Sequence, residues 1–187
     1  MAAIIDRVGP YKIQYREPVF HTLVRSVVYQ QLNGKAALTI FNRLMEAAKS
    51  DPLTPESILR MRPARMRALG LSGQKLTYIR ELARMTRSGS VDFEMCATLE
   101  DSAVVDHLTR VKGIGVWTVH MFLIFALRRA NVLPTGDLGV RAAMQKAYGL
   151  SELPKPPEME KIAAAWHPYC SVATWYLWRS LENQGAM

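Results

Sequence analysis

The chain has 187 residues, 49% of them hydrophobic, and carries 24 Lys and Arg against 16 Asp and Glu, a formal net charge of +8. That is enough apolar material for the core of one large domain or two small ones, and the basic excess suits a polyanionic partner if the charges share a face. Two cysteines, Cys96 and Cys170, are too few for a four-cysteine iron–sulfur cluster or a disulfide framework and read as buried, reduced core residues; the N-terminal stretch lacks an export signature, and no apolar run is long enough to imply a membrane partner.

Almost every segment has helical period. Pro18 precedes a first helix through Phe20–Gln31 that ends near Asn33 and Gly34, and Lys35–Ala48 forms a second. Thr54, Pro55 and Glu56 open a short third helix, with proline in the first turn where its missing N–H costs nothing. Pro63 opens a fourth that stops at Gly70, and a fifth follows Ser72 and Gly73 and runs through Met85. Asp101–Thr109, Gly115–Arg129, Asp137–Tyr148, Pro157–Trp166 and Ser171–Glu182 complete the series. No long stretch alternates as a sheet would. Short turns between many short helices predict an all-α globule with two helical lobes and a cleft between them, divided by the very apolar helix from Gly115 to Arg129.

Three features carry chemistry. Arg60, Arg62, Arg65, Arg67, Lys75, Arg80, Arg84 and Arg87 stand against one acid, Glu81, which reads either as a solvated face or as a phosphate-facing one. Next, Leu108 and Val111 lie on one helical face and lead into Gly113-Ile114-Gly115. Glycine lets another backbone approach closely, and the N–H groups opening the following helix suit an anionic oxygen. A DNA phosphate fits against Gly113 and Gly115 with Lys112 adding charge, although an ordinary connection between helices has the same look. The outward carbonyls of this turn, from Thr109, Val111 and Ile114, suit a monovalent cation such as Na⁺ or K⁺ bridging to the phosphate. The helix start at Gly73 and Lys75 is a second phosphate contact. Third, Asp137 follows Pro134-Thr135-Gly136 and opens an amphipathic helix; taken alone, its position favours an N-cap. The histidines at 21, 107, 120 and 167 have no metal spacing and read as structural or surface residues.

The string L-x-x-V-K-G-I-G-V-W-T from Leu108 to Thr118, followed by L-P-T-G-D-L-G-V from Leu133 to Val140, resembles the helix–hairpin–helix superfamily of DNA glycosylases. Q-Q-L-N-G-K-A-A (Gln30–Ala37) and W-H-P-Y-C-S-V-A-T-W-Y-L-W-R (Trp166–Arg179) are similar to its alkylpurine branch, the 3-methyladenine DNA glycosylase II family, in a compact form without the additional N-terminal β-rich domain. The resemblance spans residues 19 to 179, with motifs in the family's order.

It implies a catalytic role for Asp137, stabilising the positive charge that builds on the sugar as the glycosidic bond breaks, or activating water. A purine alkylated on a ring nitrogen is cationic and leaves readily, so a general acid is dispensable. Relatives that also cut the strand carry a lysine where this chain has Trp117, which implies a monofunctional enzyme. The resemblance places Trp117 and Trp178 in a pocket for the extruded base, where stacking and cation–π attraction hold it. Met121, one turn beyond Trp117, lines the same face. Trp166, Trp175 and Tyr176 read as core. The wedge that fills the vacated stack falls on Gln31, with Leu32 second.

The expectations are therefore a lobe at 19–128 bearing the hairpin, and a second lobe at 1–18 plus 129–187 bearing Asp137. The expected partner is duplex DNA with damaged bases, bound by a monomer in base excision repair, with no required cofactor. The setting is cytoplasmic and nucleoid-associated in a bacterium or nuclear in a eukaryote. Two other readings are a glycosylase for deaminated or oxidised bases and a helix–hairpin–helix protein that binds DNA without catalysis.

Overall fold

A computed structural model of the chain describes residues 1–32 and 34–182. Asn33, expected to help close the first long helix, lies outside the described residues. Those residues form helices α1 (Ala2–Val8), α2 (Phe20–Tyr29), α3 (Gly34–Ala48), α4 (Pro55–Arg60), α5 (Pro63–Ala68) and α6 (Gly73–Arg87). The series continues with α7 (Phe93–Thr98), α8 (Asp101–Leu108), α9 (Val116–Phe125), α10 (Leu138–Tyr148), α11 (Pro156–Ala163), a 3₁₀ turn (Ala164–Trp166) and α12 (Cys170–Glu182). Among the described residues there is no strand, so the all-α expectation holds. Among the described residues, no helix is long and apolar enough to cross a membrane.

The chain divides into two compact units, Arg16–Phe122 and Met1–Tyr15 with Leu123–Met187. In the first, α6 packs on α2, α4 and α5, and α2 on α3. The reason is patterning: Leu23, Val24, Val27 and Val28 are three and four residues apart on α2 and are fully buried, as are Ile79 and Leu82 of α6. The short α4 is too brief to persist on propensity alone. It is closed by a capping box in which the Ser57 amide donates to Thr54 Oγ1 at 3.2 Å and the Thr54 amide to Ser57 Oγ at 3.1 Å, with Pro55 in the first turn.

In the second unit, α12 packs on α1 and α10. Val140, Met144, Met159, Cys170, Trp175, Tyr176 and Leu177 form its core. The Tyr11 ring meets Trp175 edge-on at 4.9 Å, and the Tyr176 hydroxyl donates to Gly9 O at 3.1 Å. Trp166, Trp175, Tyr176 and both cysteines are buried, as their sequence setting implied.

Two helices, α1 and α7, were not expected, and α9 ends before the expected Arg129. Arg128 turns into the left-handed region at φ 58. The Ser171 hydroxyl then takes over the backbone, donating to Arg129 O at 2.6 Å and accepting from the Val132 amide at 3.0 Å.

Candidate functional site

The hairpin between α8 and α9 is a tight turn. The Val111 amide donates to Leu108 O at 3.1 Å and the Ile114 amide to Val111 O at 3.0 Å. Gly113 adopts φ +89, and a Cβ there would collide with the ring of Tyr78 on α6. Glycine is therefore required twice over, by the backbone angle and by the packed ring. The turn is tied to the end of α2 by Gln30, whose Nε2 donates to Gly113 O at 3.0 Å and to Thr118 Oγ1 at 3.2 Å.

These residues border a groove of about 390 Å³ whose lining includes Gln31, Lys75, Thr109, Val111, Lys112, Gly113, Ile114 and Gly115. Most of the residues singled out for DNA and cation binding thus share one concavity within the first unit. Lys112 and Gly115 are exposed at its rim. Lys75 lines it too, but its ammonium is engaged inward, donating to Val28 O at 2.7 Å and Gln30 O at 2.6 Å, and burial lowers its pKa. Gly73 opens α6 behind the Ser72 cap, and a Cβ there would meet Arg67 Nη1 at 3.0 Å. Gln31 is exposed and sits in the left-handed region at φ 54; Leu32, beside it, is exposed as well. On α9, Trp117 is 38% exposed and Met121 half-buried.

The carboxylate lies in the second unit. Asp137 is the N-cap of α10, accepting from the Val140 amide on Oδ1 at 2.8 Å. The same oxygen accepts from Trp178 Nε1 on α12 at 2.9 Å. Asp137 keeps 9% of its surface, flanked by exposed Gly136 and by Leu138, which is 64% exposed. The Trp178 ring stacks on Phe125 with centroids 5.7 Å apart and planes 14° from parallel. Gly139 keeps this corner tight: a Cβ there would meet Asp137 Oδ1 at 3.2 Å and Trp178 Cδ1 at 3.3 Å. The cap reading of Asp137 is met, and a second donor on the same oxygen fixes the carboxylate in place.

Sequence reasoning missed Tyr78 against Gly113, Phe125 behind Trp178, and the bridging roles of Gln30 and Lys75. The glycine spacing implied that something packs closely on the hairpin, but not which side chain.

Comparison with known proteins gives this geometry a setting. The chain is 35% identical to a DNA-3-methyladenine glycosylase of Schizosaccharomyces pombe, over 95% of this chain and 80% of the relative. A solved structure of the S. pombe 3-methyladenine DNA glycosylase in complex with abasic DNA superposes with a TM-score of 0.88 at 33% identity, covering 100% of this chain and 93% of that one. A DNA-3-methyladenine glycosidase from Bacillus halodurans superposes with a TM-score of 0.85 at 33% identity, covering 98% and 86%. Residues 24–168 match the HhH-GPD superfamily base excision DNA repair protein family, and the chain belongs to that family.

Proposed function

We propose that the protein is a monofunctional DNA glycosylase that removes alkylated purines, of the 3-methyladenine and 7-methylguanine type, from duplex DNA in base excision repair. It acts as a monomer, in the cytoplasm of a bacterium or the nucleus of a eukaryote. The observation that carries the reading is the carboxylate of Asp137, oriented by the Trp178 indole N–H and the Val140 amide in a chain that also bears the hairpin groove. The relatives' names supply the substrate class.

The damaged nucleotide leaves the stack, and Gln31, with Leu32 beside it, fills the space. Trp117, with Met121 one turn further along α9, offers its ring to the cationic purine, and Trp178 offers an indole for the same role; each base–aromatic stack is worth about 1–3 kcal/mol. The glycosidic bond breaks with its electron pair passing to the purine nitrogen, which neutralises the departing base. Asp137 stabilises the sugar cation; water adds to the anomeric carbon and yields a proton to the carboxylate. Backbone N–H groups at Gly113 and Gly115 with Lys112 grip a phosphate, and the start of α6 at Gly73 makes a second contact. Trp117 leaves no amine at the family's lyase position, so the product is an abasic site.

The reaction needs no cofactor. The proposed monovalent cation would sit on the backbone carbonyls of Thr109, Val111 and Ile114, residues that all line the groove; Val111 O also accepts from the Ile114 amide at 3.0 Å. When bound, the cation supplies positive charge toward the phosphate. Exchanging K⁺ for a bulky organic cation at constant ionic strength should weaken DNA binding.

The test is release of free methylated base from alkylated DNA, with alkali revealing abasic sites. Asp137→Asn is a clean probe because asparagine caps helices as well as aspartate and its one oxygen can accept from both Val140 and Trp178. Base release should fall by about 100-fold or more while DNA binding persists. Undiminished release by Asp137→Asn, or strand cleavage without alkali, overturns the respective assignment.

A further inference from the structure

We propose that Lys75 and Gln30 are positioning residues that lock the wedge turn at the end of α2 to the phosphate-binding hairpin, so that gripping the backbone and entering the stack are one movement. The inference rests on the reading of the protein as a base-extruding glycosylase and adds to it two residues that touch neither base nor sugar.

The observations converge on the turn that follows α2. A helix end presents carbonyls without partners inside the helix. At the end of α2, Tyr29 O accepts from the Leu32 amide at 3.3 Å, while the Lys75 ammonium takes Val28 O at 2.7 Å and Gln30 O, just past the helix, at 2.6 Å. The ammonium is engaged by these two carbonyls, and partial burial lowers its pKa. The next residue, Gln31, stands in the left-handed region at φ 54, an angle that a non-glycine residue holds only when its surroundings impose it. The Gln30 side chain then crosses to the hairpin, donating to Gly113 O and to Thr118 Oγ1. A lysine offered to phosphate would instead leave its ammonium in water, as Lys112 does at the groove's rim.

The two roles for Lys75 separate cleanly. A phosphate contact adds affinity uniformly and steepens the dependence of binding on salt, by about one unit of slope per contact. A positioning residue leaves the slope alone and matters in proportion to the work of extrusion. That work is smallest where the lesion lies opposite an abasic gap, since little pairing has to be broken.

The experiment uses Lys75→Met and Gln30→Leu, which keep the apolar stem and remove the donor. Single-turnover base release should fall about tenfold or more from a normally paired lesion and less than about threefold from a lesion opposite an abasic gap. The salt slope of duplex binding should match the wild type. In an Asp137→Asn background, 2-aminopurine placed beside the lesion should brighten less on binding when either residue is changed, a measure of extrusion that needs no catalysis.

Equal losses on both substrates, as general destabilisation would cause, overturn the proposal. So does a slope reduced by about one in Lys75→Met. A wild type that brightens 2-aminopurine yet releases no base overturns the enzymatic reading instead, and the fluorescence arm still decides the role of Lys75 and Gln30.

Discussion

Asp137 shows how one side chain serves two ends. As N-cap it meets the Val140 amide, and as a proposed reactive group it needs an orientation that capping alone does not fix. The Trp178 N–H supplies the second constraint, and the stack on Phe125 holds the indole. Gly139 makes this testable without altering either partner. Its backbone is helical, so alanine there improves helix propensity by up to about 1 kcal/mol. The added Cβ meets Asp137 Oδ1 at 3.2 Å and Trp178 Cδ1 at 3.3 Å, so the pair must yield by a few tenths of an ångström. The gain in propensity and the pressure on the cap oppose each other, so Gly139→Ala should melt close to the wild-type temperature yet lose about tenfold or more in base release, since small misplacements of a reacting group are costly. Calorimetry beside single-turnover kinetics checks this; parallel loss of stability and activity would refute it.

The hairpin behaves as an element because its turn is packed against α6, and its glycine can be examined by a double substitution. Gly113→Ala combines a φ of +89, costing on the order of 1–3 kcal/mol, with a collision against the Tyr78 ring. In a Tyr78→Ala background only the backbone part remains, so the same substitution should destabilise less, as denaturant titration would show. Equal costs in both backgrounds would mean that Tyr78 yields freely. Helices such as α2, α6 and α9 were legible in the sequence because their apolar residues repeat over several turns or are enclosed by turn residues. The six-residue α7 was not: its one local mark is the Asp92 cap, which accepts from the Glu94 and Met95 amides, and six residues are too few for a helical period to show. Nor was α1, whose seven residues bury only Ile4 of their own and depend on packing against α12. The overrun of α9 has a tertiary cause: Ser171, far along the chain, captures Arg129 O and the Val132 amide. In the same way, the motif strings pointed to Asp137, Gly113 and Gly115. The partners that hold them, Trp178, Tyr78 and Gln30, come from distant segments that no local pattern connects.

For the molecule as a whole, the excess of basic residues suits a polyanion, but its behaviour in mild acid is set by imidazoles. His21, His107 and His120 each have a pKa lowered from 6.5, first because burial disfavours the charged ring. Positive neighbours add to this, Arg110 at His107 and Arg25 at His21, while Asp92, Asp51 and Asp101 oppose it at His107, His21 and His120 respectively. Two of the rings also accept backbone hydrogen bonds, His21 Nδ1 from Leu53 at 3.1 Å and His107 Nε2 from Asp92 at 3.4 Å, and protonation at those nitrogens would abolish them. Folded-state values below 6.5 mean that the unfolded chain binds more protons in the window just beneath that pH. Stability is then complete above 6.5 and falls as the pH drops through it toward the folded values. The melting temperature should decline between about pH 7.5 and about pH 5.5, in a range where unperturbed carboxylates barely titrate. Replacing His21 and His107 by Gln, which cannot take a proton, should flatten that decline even if it lowers stability at neutral pH. A melting temperature that is level across the window, or a slope untouched by the replacements, would place the acid sensitivity elsewhere.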